Sequence, residues 1–385
     1  MSLPVWVCAQ GIKFETGTWE QVKEKAKAEN KPIFVDAFTT WCGPCKHMTK
    51  NIFSLTNVGD FFNQKYISFA YDMEKGAGVD FAAKYKVNAF PTLLYFDSNG
   101  ELVHRTVGAS GADELLTNAK NALDPQKQYY TLYKQYQNGK QEPEFLSALV
   151  AVALDAGEQR TALKAFETYW GNLSDEQKKS NEAFTTLSSV APDMNSPLFD
   201  YVVANRSGYE QSIGKEKVQT YIDQAFDIAC YQPLMRDNLD AKKDFPPILA
   251  KFKKIEPKNS KYWETKLNYV YYNTKFPATK EAQKYKATYL DKYSKDWSEL
   301  NEAAWHVFED DAANSKTVKK ALGWAEKSVK INRNFYNLDT QAHLLNRTGK
   351  SKDAIAPAEE AIKLGKAAGA DVSGTETLLE TIKAK

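Results

Sequence analysis

Residues 41–46, Trp41-Cys42-Gly43-Pro44-Cys45-Lys46, decide how the first part of this chain folds. Two cysteines three positions apart at the start of a helix lie one turn from each other, near enough to close a small disulfide ring. If Cys42 lies at the helix N-terminus, unpaired backbone N–H groups and the positive end of the helix dipole face its sulfur. That environment favours the thiolate and lowers the thiol pKa below its free value of about 8.5. The stretch therefore predicts a reactive dithiol.

The residues around the two cysteines support this interpretation. Pro44 suits the first helical turn because its missing N–H would have no helical partner there, and Gly43 lets another backbone approach closely. The preceding run, Ile33–Phe38, is apolar apart from Asp36 and predicts a central strand buried on both faces. A carboxyl buried in such a strand is desolvated and hard to ionise.

Residues 11–123 resemble a thioredoxin domain along their whole length, which implies a central mixed β-sheet flanked by helices. The predicted elements follow the order of that fold on both sides of the Trp-Cys-Gly-Pro-Cys turn. They are a strand at 11–15, a helix opening at Thr18, a strand at 66–71, a helix at 79–84, the proline loop at 87–92, strands at 93–96 and 102–107, and a helix at 112–123. Because a Cys-x-x-Cys pair also occurs in zinc sites, the surrounding pattern carries the resemblance.

The resemblance implies a role for each candidate site residue. Cys42 is expected to attack the substrate disulfide, and Cys45 to attack the resulting mixed disulfide. Asp36 matches the family's buried carboxylate, which helps to move a proton to or from Cys45. The alternative is that Asp36 is only a hydrogen-bonded strand residue. Pro91 matches the family's cis-proline, which faces the two cysteines.

A substrate surface is implied beside the cysteines. Trp41, Pro91 and Thr92 are expected to contact the substrate, together with Gly43 and Pro44. For Trp41 the alternative is an ordinary half-buried aromatic residue. The resemblance also implies that Cys42 carries the exposed sulfur and that Cys45 is the more buried of the pair.

Two positions depart from the family's pattern. Thioredoxins usually carry a lysine beside the buried carboxylate, and this chain offers Ala70 or Tyr71 there. Without that cation, Asp36 should be still harder to ionise. Phe90, before the proline, is bulkier than the usual aliphatic residue, so we expect a narrower range of substrates.

No metal or separate cofactor is expected beyond the redox-active Cys42–Cys45 pair. A structural zinc site needs four ligands, commonly with paired spacing. The histidines are instead scattered along the chain, at His47, His104, His306 and His343. The remaining cysteine apart from Cys8 is Cys230, which falls in a helical pattern. It is expected to be buried and inert, with a third redox thiol as the alternative.

Composition excludes several classes of function. The chain has 385 residues, of which 43% are hydrophobic, enough for two or three domains. Its formal net charge is +2, so neither a nucleic-acid footprint nor a polybasic membrane patch is indicated. No apolar run approaches the length of a transmembrane helix.

Residues 1–10 are interpreted as a signal-peptide remnant. The stretch of residues 3–10 is apolar, with Val7 and Ala9 at the spacing that a signal peptidase reads. A disordered stub and a lipidated Cys8 are the alternatives. A secretory signal would place the protein in the periplasm or outside the cell, where the compartment is oxidising.

Beyond a boundary at Asp124-Pro125, residues 127–385 predict an all-helical region of degenerate, tetratricopeptide-like helix hairpins, with a subdivision near 174–259 as an alternative to one continuous region. The clearest repeat has a 33-residue offset, at which Ala321 and Ala325 recur as Ala354 and Ala358. Phe245-Pro246-Pro247 predicts a turn. Stacked helix pairs form long surfaces that hold partners.

Together these features predict a thiol–disulfide oxidoreductase that acts on protein disulfides. Gly43-Pro44 matches the family's reducing members, so we expect a reductase supplied by a membrane thiol donor, with the helical region binding substrates or partners. Two alternatives stay open. One is an oxidase or isomerase; the other is an interaction scaffold in which the thioredoxin domain is not the main activity.

Overall fold

The computed structural model describes residues 11–190, 193–236 and 238–384. The chain divides into two compact units, Met1–Ala225 and Phe226–Lys385. The predicted boundary between residues 123 and 127 lies inside the first unit, and the division there into a thioredoxin-like domain and a helical region stays a prediction. The interpretation of residues 1–10 as a signal-peptide remnant, including Cys8, falls outside the described residues.

A mixed five-stranded sheet lies near the start of the first unit. Its strands are β1 (Phe14–Glu15), β2 (Ile33–Phe38), β3 (Ile67–Asp72), β4 (Thr92–Phe96) and β5 (Leu102–Val107), in the spatial order β1-β3-β2-β4-β5. Strands β1 and β2 each pair with β3 in parallel, whereas β4 pairs antiparallel with β2 and β5. The predicted central strand is therefore confirmed. The first strand is shorter than the predicted 11–15.

Helices flank this sheet at the predicted places. They are α1 (Trp19–Glu29), α2 (Gly43–His47) with a π-helical turn at Met48–Ile52, α3 (Thr56–Lys65), α4 (Gly78–Tyr85) and α5 (Ala112–Asn121). Thr18 begins α1 as predicted: its side chain accepts the backbone N–H of Gln21, and the Gln21 side chain accepts the N–H of Thr18 in return.

Alternate side chains of β2 point to opposite faces of the sheet and pack in two separate parts of the core. Ile33, Val35 and Ala37 pack on the face covered by α1 and α4. Phe34 packs on the other face, with residues of the π-helical turn, α3 and α5. Because successive side chains of a strand point to opposite faces, Asp36 lies on the same face as Phe34. The buried carboxyl is thus on the side of the sheet that carries the active-site helix.

Helices α6–α12 complete the first unit, and α12 extends past its last residue. They are α6 (Tyr129–Gln137), α7 (Pro143–Asp155), α8 (Gln159–Asn172), α9 (Asn181–Ser189), α10 (Pro197–Ala204), α11 (Arg206–Ile213) and α12 (Lys215–Tyr231). Helices α6 and α7 pack on β5, and the backbone N–H of Tyr129 donates to His104 Nδ1 at 3.1 Å. The first helices after the sheet are therefore docked on its β5 edge.

His104 is buried at this docking contact. Its other ring nitrogen, Nε2, has no hydrogen-bond partner among the described residues, and its ring lies 5.6 Å from that of Tyr95. Burial lowers the pKa of His104 to about 4, because a charged imidazole would lose its hydration.

The second unit is helical throughout its described residues, apart from short turns. It holds α13 (Ala241–Ile255), α14 (Ser260–Lys275), α15 (Lys280–Lys292), α16 (Trp297–Glu309), α17 (Ser315–Ile331), α18 (Phe335–Arg347), α19 (Ser351–Ala367) and α20 (Ser373–Lys383). The turn predicted at residues 245–247 was wrong, because these residues lie inside α13. Burial of Phe245 and Phe252 on one side of this helix outweighs the unfavourable prolines.

The 33-residue sequence repeat corresponds to two helix hairpins that bury equivalent positions. Helices α16 and α17 form one hairpin, and α18 and α19 form the next. Ala321, Ala325, Ala354 and Ala358 are all fully buried, so equivalent small residues occupy equivalent positions in the two hairpins. Among the described residues, no helix is both long and apolar enough to cross a membrane.

We predict that protonation of His104 weakens the docking of α6. The folded state holds fewer protons than the unfolded state between about pH 4 and the ordinary histidine pKa of about 6.5. This group alone should therefore lower the free energy of unfolding through that window as the pH drops, by on the order of 3 kcal/mol. Urea unfolding of the wild type and of His104→Gln, each at pH 7 and pH 4.5, measures this contribution as the difference between the two chains. The drop in pH should destabilise the wild type relative to His104→Gln; the same change in both chains would contradict the prediction.

Candidate active site

The two cysteines of the Trp-Cys-Gly-Pro-Cys turn form a disulfide at the start of α2. The S–S distance is 2.06 Å and the Cα atoms are 5.3 Å apart. Cys42 is the N-cap residue of α2, and its Sγ accepts the backbone N–H of Cys45 at 3.1 Å. Pro44 occupies the first helical turn, where no helical partner for an N–H is needed. One backbone donor therefore points at the Cys42 sulfur, as the sequence predicted.

Both cysteines are buried in this oxidised form. Cys42 is 2% exposed and Cys45 is 3% exposed. The expectation of an exposed Cys42 beside a more buried Cys45 was therefore wrong for the disulfide form. The bond between the two sulfurs and the N–H donated to Cys42 Sγ hold both side chains against the first turn of α2.

Asp36 has the desolvated environment that the strand pattern predicted. The residue is 3% exposed, and its Oδ1 has no hydrogen-bond partner among the described residues. Burial raises the pKa of this carboxyl to about 7, because the charged form would lose its hydration. The group is thus poised to exchange a proton near neutral pH.

The register of the sheet identifies the residue beside Asp36. Ala70 of β3 is its partner on one side, and Leu93 of β4 is its partner on the other. The position where thioredoxins usually carry a lysine is therefore taken by a methyl group. Both direct neighbours in the sheet are apolar, so neither stabilises the ionised carboxylate.

Trp41 lies at the surface and is held by two neighbours. The residue is 65% exposed, its indole Nε1–H donates to Glu74 Oε2 at 2.8 Å, and its ring meets the ring of Phe90 edge to face at 6.1 Å. Trp41 is therefore more exposed than an ordinary half-buried aromatic residue. Sequence reasoning missed Glu74, because only the fold brings the turn after β3 next to Trp41.

The proline loop lies against this aromatic pair. The Phe90–Pro91 peptide bond is cis, as the resemblance implied, and the carbonyl oxygen of Pro91 accepts the backbone N–H of Gly108 at 2.9 Å. Thr92 is buried, and its hydroxyl donates to the carbonyl oxygen of Ala89 at 2.8 Å. The Thr92 hydroxyl is thus committed to the loop itself.

Gly43 and Pro44 are exposed between the two cysteines. A Cβ added to Gly43 would meet no atom within 4 Å, so the turn leaves open space for an approaching backbone.

Cys230 lies in the second unit and is buried. Burial raises the pKa of its thiol, which agrees with the expected inert cysteine. Within the described ranges, no group of three or more metal-ligating side chains is found.

We predict that removing the Asp36 carboxyl stabilises the protein at alkaline pH. At this group the folded state holds an extra proton between the ordinary aspartate pKa and about 7, so its contribution to stability falls as the pH rises through that window. That contribution falls by on the order of 4 kcal/mol. Because the contribution of His104 changes in the opposite direction, the test compares two chains: in chemical unfolding between pH 5 and pH 8, the wild type should lose stability relative to Asp36→Asn. The same change in both chains would contradict the raised pKa.

Comparisons with known proteins agree with this geometry. The thioredoxin-like domain family matches residues 19–122. Thioredoxin-1 of Saccharomyces cerevisiae is 37% identical over 90 residues, which are 23% of this chain and 80% of that protein. The chloroplastic Thioredoxin Y of Oryza sativa subsp. japonica is 33% identical over 116 residues, which are 30% of this chain. The chain spans 66% of the length of that rice protein and 62% of the chloroplastic Thioredoxin Y1 of Arabidopsis thaliana.

A solved structure of similar sequence covers about the same share of this chain as the rice thioredoxin does. The solution structure of a candidate disulphide-isomerase from Bacteroides thetaiotaomicron is 45% identical and covers 31% of this chain and 98% of its own, with a TM-score of 0.29. Several thioredoxins are more than 30% identical to this chain over at least two thirds of their own length. Through its N-terminal sheet and Cys42–Cys45 pair, the chain belongs to the thioredoxin-like family.

Proposed function

We propose that this protein is a thiol–disulfide oxidoreductase that reduces disulfides of other proteins. The observation that carries the proposal is the backbone N–H of Cys45 directed at Cys42 Sγ at the start of α2. In the reduced protein the same donor stabilises a Cys42 thiolate, the form that attacks disulfides.

The reaction follows from the positions of the two sulfurs. The Cys42 thiolate attacks one sulfur of the substrate disulfide, forms a mixed disulfide and releases one substrate thiolate. Cys45 then attacks Cys42 Sγ, closes the Cys42–Cys45 disulfide and releases the second substrate thiolate. The substrate gains two electrons and two protons, and the protein loses them.

Asp36 is proposed to manage the proton of the second step. Its pKa near 7 and its position on the face of the sheet that carries α2 support this role. A neutral carboxyl can donate a proton, and a carboxylate can take the proton that Cys45 must lose before it attacks. Since Ala70 replaces the usual lysine, burial alone sets this pKa.

The substrate surface is proposed to consist of Trp41, Phe90 and Pro91, with Gly43 and Pro44 at its centre. The exposed indole and the open space over Gly43 support it. Thr92 contributes only its backbone, because its hydroxyl is already paired within the loop.

The direction of electron flow, the cellular compartment and the binding partners of the protein are part of the same proposal. Gly43-Pro44 between the cysteines is the ground for a reductase instead of an oxidase or isomerase. A protein that reduces disulfides in an oxidising compartment needs electrons, which we assign to a membrane thiol donor. The helical region is proposed to bind substrates or partners. Its first helices, α6 and α7, are docked on β5.

Trapping of mixed disulfides tests the proposal. In Cys45→Ser, Cys42 can attack a substrate but nothing resolves the product, so this variant should accumulate disulfide-linked proteins in an extract. The species should disappear on treatment with dithiothreitol, and non-reducing electrophoresis with mass spectrometry identifies them.

Cys42→Ser is the matched control. It should trap nothing through position 42 and should lose at least about a thousandfold of disulfide-reduction activity, because the nucleophile is gone. Its circular dichroism spectrum should match that of the wild type. Retained activity in Cys42→Ser, or no trapped species in Cys45→Ser, would contradict the proposal and favour the interaction scaffold.

A further inference from the structure

A cavity lies between two neighbouring helix hairpins of the second unit. Its volume is about 530 Å³, which is in the range of sites for small molecules. One wall comes from the hairpin of α14 and α15, and the other from the end of α16 and the first turns of α17. Every lining residue belongs to the second unit, so no residue of the Cys42–Cys45 site takes part.

Lys286 of α15 lines this cavity with a half-buried side chain that has no partner. Within the described residues it makes neither an ion pair nor a side-chain hydrogen bond, and the carboxylates of Glu299 and Glu302 act on it only at longer range. Both oxygens of Glu299 are already engaged, because the hydroxyls of Tyr269 and Ser294 donate to them. Burial lowers the pKa of Lys286, since its charged form loses hydration without gaining a partner.

The charged residues of the lining favour an anionic ligand. Three lysines and one aspartate line the cavity: Lys286, Lys316, Lys320 and Asp310. Lys320 pairs with Asp291 at 3.0 Å, whereas Lys316 is exposed and has no ion pair in the part of the chain that the structure describes. Asp310 Oδ1 accepts the backbone N–H of Ala312 at 2.9 Å. Two ammonium groups without a carboxylate partner therefore remain, and in a concave site such groups attract anions.

The rest of the lining suits an apolar group. Ala282 and Trp324 are buried, and Ala287 and Val307 are half-buried. The indole ring is fixed in place, because Trp324 Nε1–H donates to Asp291 Oδ1 at 2.7 Å. A ligand gains free energy by covering this wall with a hydrocarbon or aromatic group, since that removes apolar surface from water.

We propose that this cavity binds a small organic carboxylate with an apolar body, whose anionic group pairs with Lys286. The carboxylate supplies the partner that the half-buried ammonium lacks within the protein, and its single charge balances that of one lysine. The apolar body covers the wall that contains Trp324. Because the ligand contacts α15 and α17, it links two successive hairpins. The site gives the second unit a ligand of its own and does not rest on the proposed redox function.

Protection of Lys286 from acetylation tests binding at the site itself. The full chain is treated with acetic anhydride, a neutral reagent, in the presence of 3-phenylpropionate, neutral 3-phenylpropanol, cationic trimethyl(3-phenylpropyl)ammonium or inorganic phosphate. Mass spectrometry of the peptides that contain Lys286 and Lys292 gives both acetylation rates. Lys292 is the internal control, because it is exposed on the same helix and does not line the cavity.

The carboxylate probe alone should protect Lys286. At about 10 mM, 3-phenylpropionate should slow its acetylation at least about fivefold relative to Lys292, as expected for a Kd in the low millimolar range. The alcohol, the quaternary ammonium ion and phosphate at the same concentration should each slow it less than about twofold, because each lacks either the carboxylate or the apolar body.

Substitution of Lys286 separates recognition of the anion from binding of the apolar body. In isothermal titration calorimetry, Lys286→Gln should weaken 3-phenylpropionate binding about tenfold, the loss expected for one charged hydrogen bond. Lys286→Arg keeps the charge and should retain the preference for the carboxylate. Lys292→Gln is the matched control and should bind like the wild type. Lys286→Gln should also leave the free energy of unfolding equal or higher, because it removes a half-buried charge that has no partner.

Any of four results would overturn the inference. They are no protection of Lys286 by 3-phenylpropionate, equal protection by the carboxylate and the alcohol, equal protection by phosphate, and a Lys286→Gln variant that binds 3-phenylpropionate as tightly as the wild type. None of these measurements involves Cys42 or Cys45, so their outcome is independent of the trapping experiment that tests the proposed function.

Discussion

The hydrogen bond from the Cys45 backbone N–H to Cys42 Sγ is the interaction on which the rest of the redox site depends. It exists because β2 ends directly before a turn that places Cys42 at the N-cap of α2 and a proline in the first helical turn. The paired strands β3 and β4 on either side of β2 fix the direction in which the chain leaves the sheet. The sheet, which is buried on both faces, therefore positions the backbone N–H of Cys45 at Cys42 Sγ.

Within the part of the chain that the structure describes, two buried polar atoms without a hydrogen-bond partner lie in the segment that leads into Cys42. Asp36 Oδ1 and Thr39 Oγ1 lie at the end of β2 and just beyond it, and both are buried without a partner among the described residues. Such groups destabilise a folded protein, and in native structures they are few. Their position in the strand and turn that lead into Cys42 agrees with a site where stability is given up for proton transfer.

Most of the redox domain was predictable from local pattern, because each element has a strong local cause. The apolar run of β2, the Thr18 cap and the Cys-Gly-Pro-Cys turn need only neighbouring residues to specify them. Contacts between distant segments were not predictable: Glu74 reaches Trp41, and Tyr129 reaches His104, only after the chain has folded. In the helical region, the buried Phe245 and Phe252 override the turn preference of Pro246-Pro247, a tertiary effect that sequence pattern does not contain.

The reduction potential of the Cys42–Cys45 pair tests the central claim most directly. Equilibration of the full chain with thiol–disulfide buffers, followed by alkylation of free thiols and mass spectrometry, gives the value. Gly43-Pro44, the dipeptide that matches the family's reducing members, predicts a potential near or below about −250 mV. A potential above about −150 mV would identify an oxidant or isomerase and contradict the reductase assignment. A pair that does not cycle at all would contradict redox function altogether.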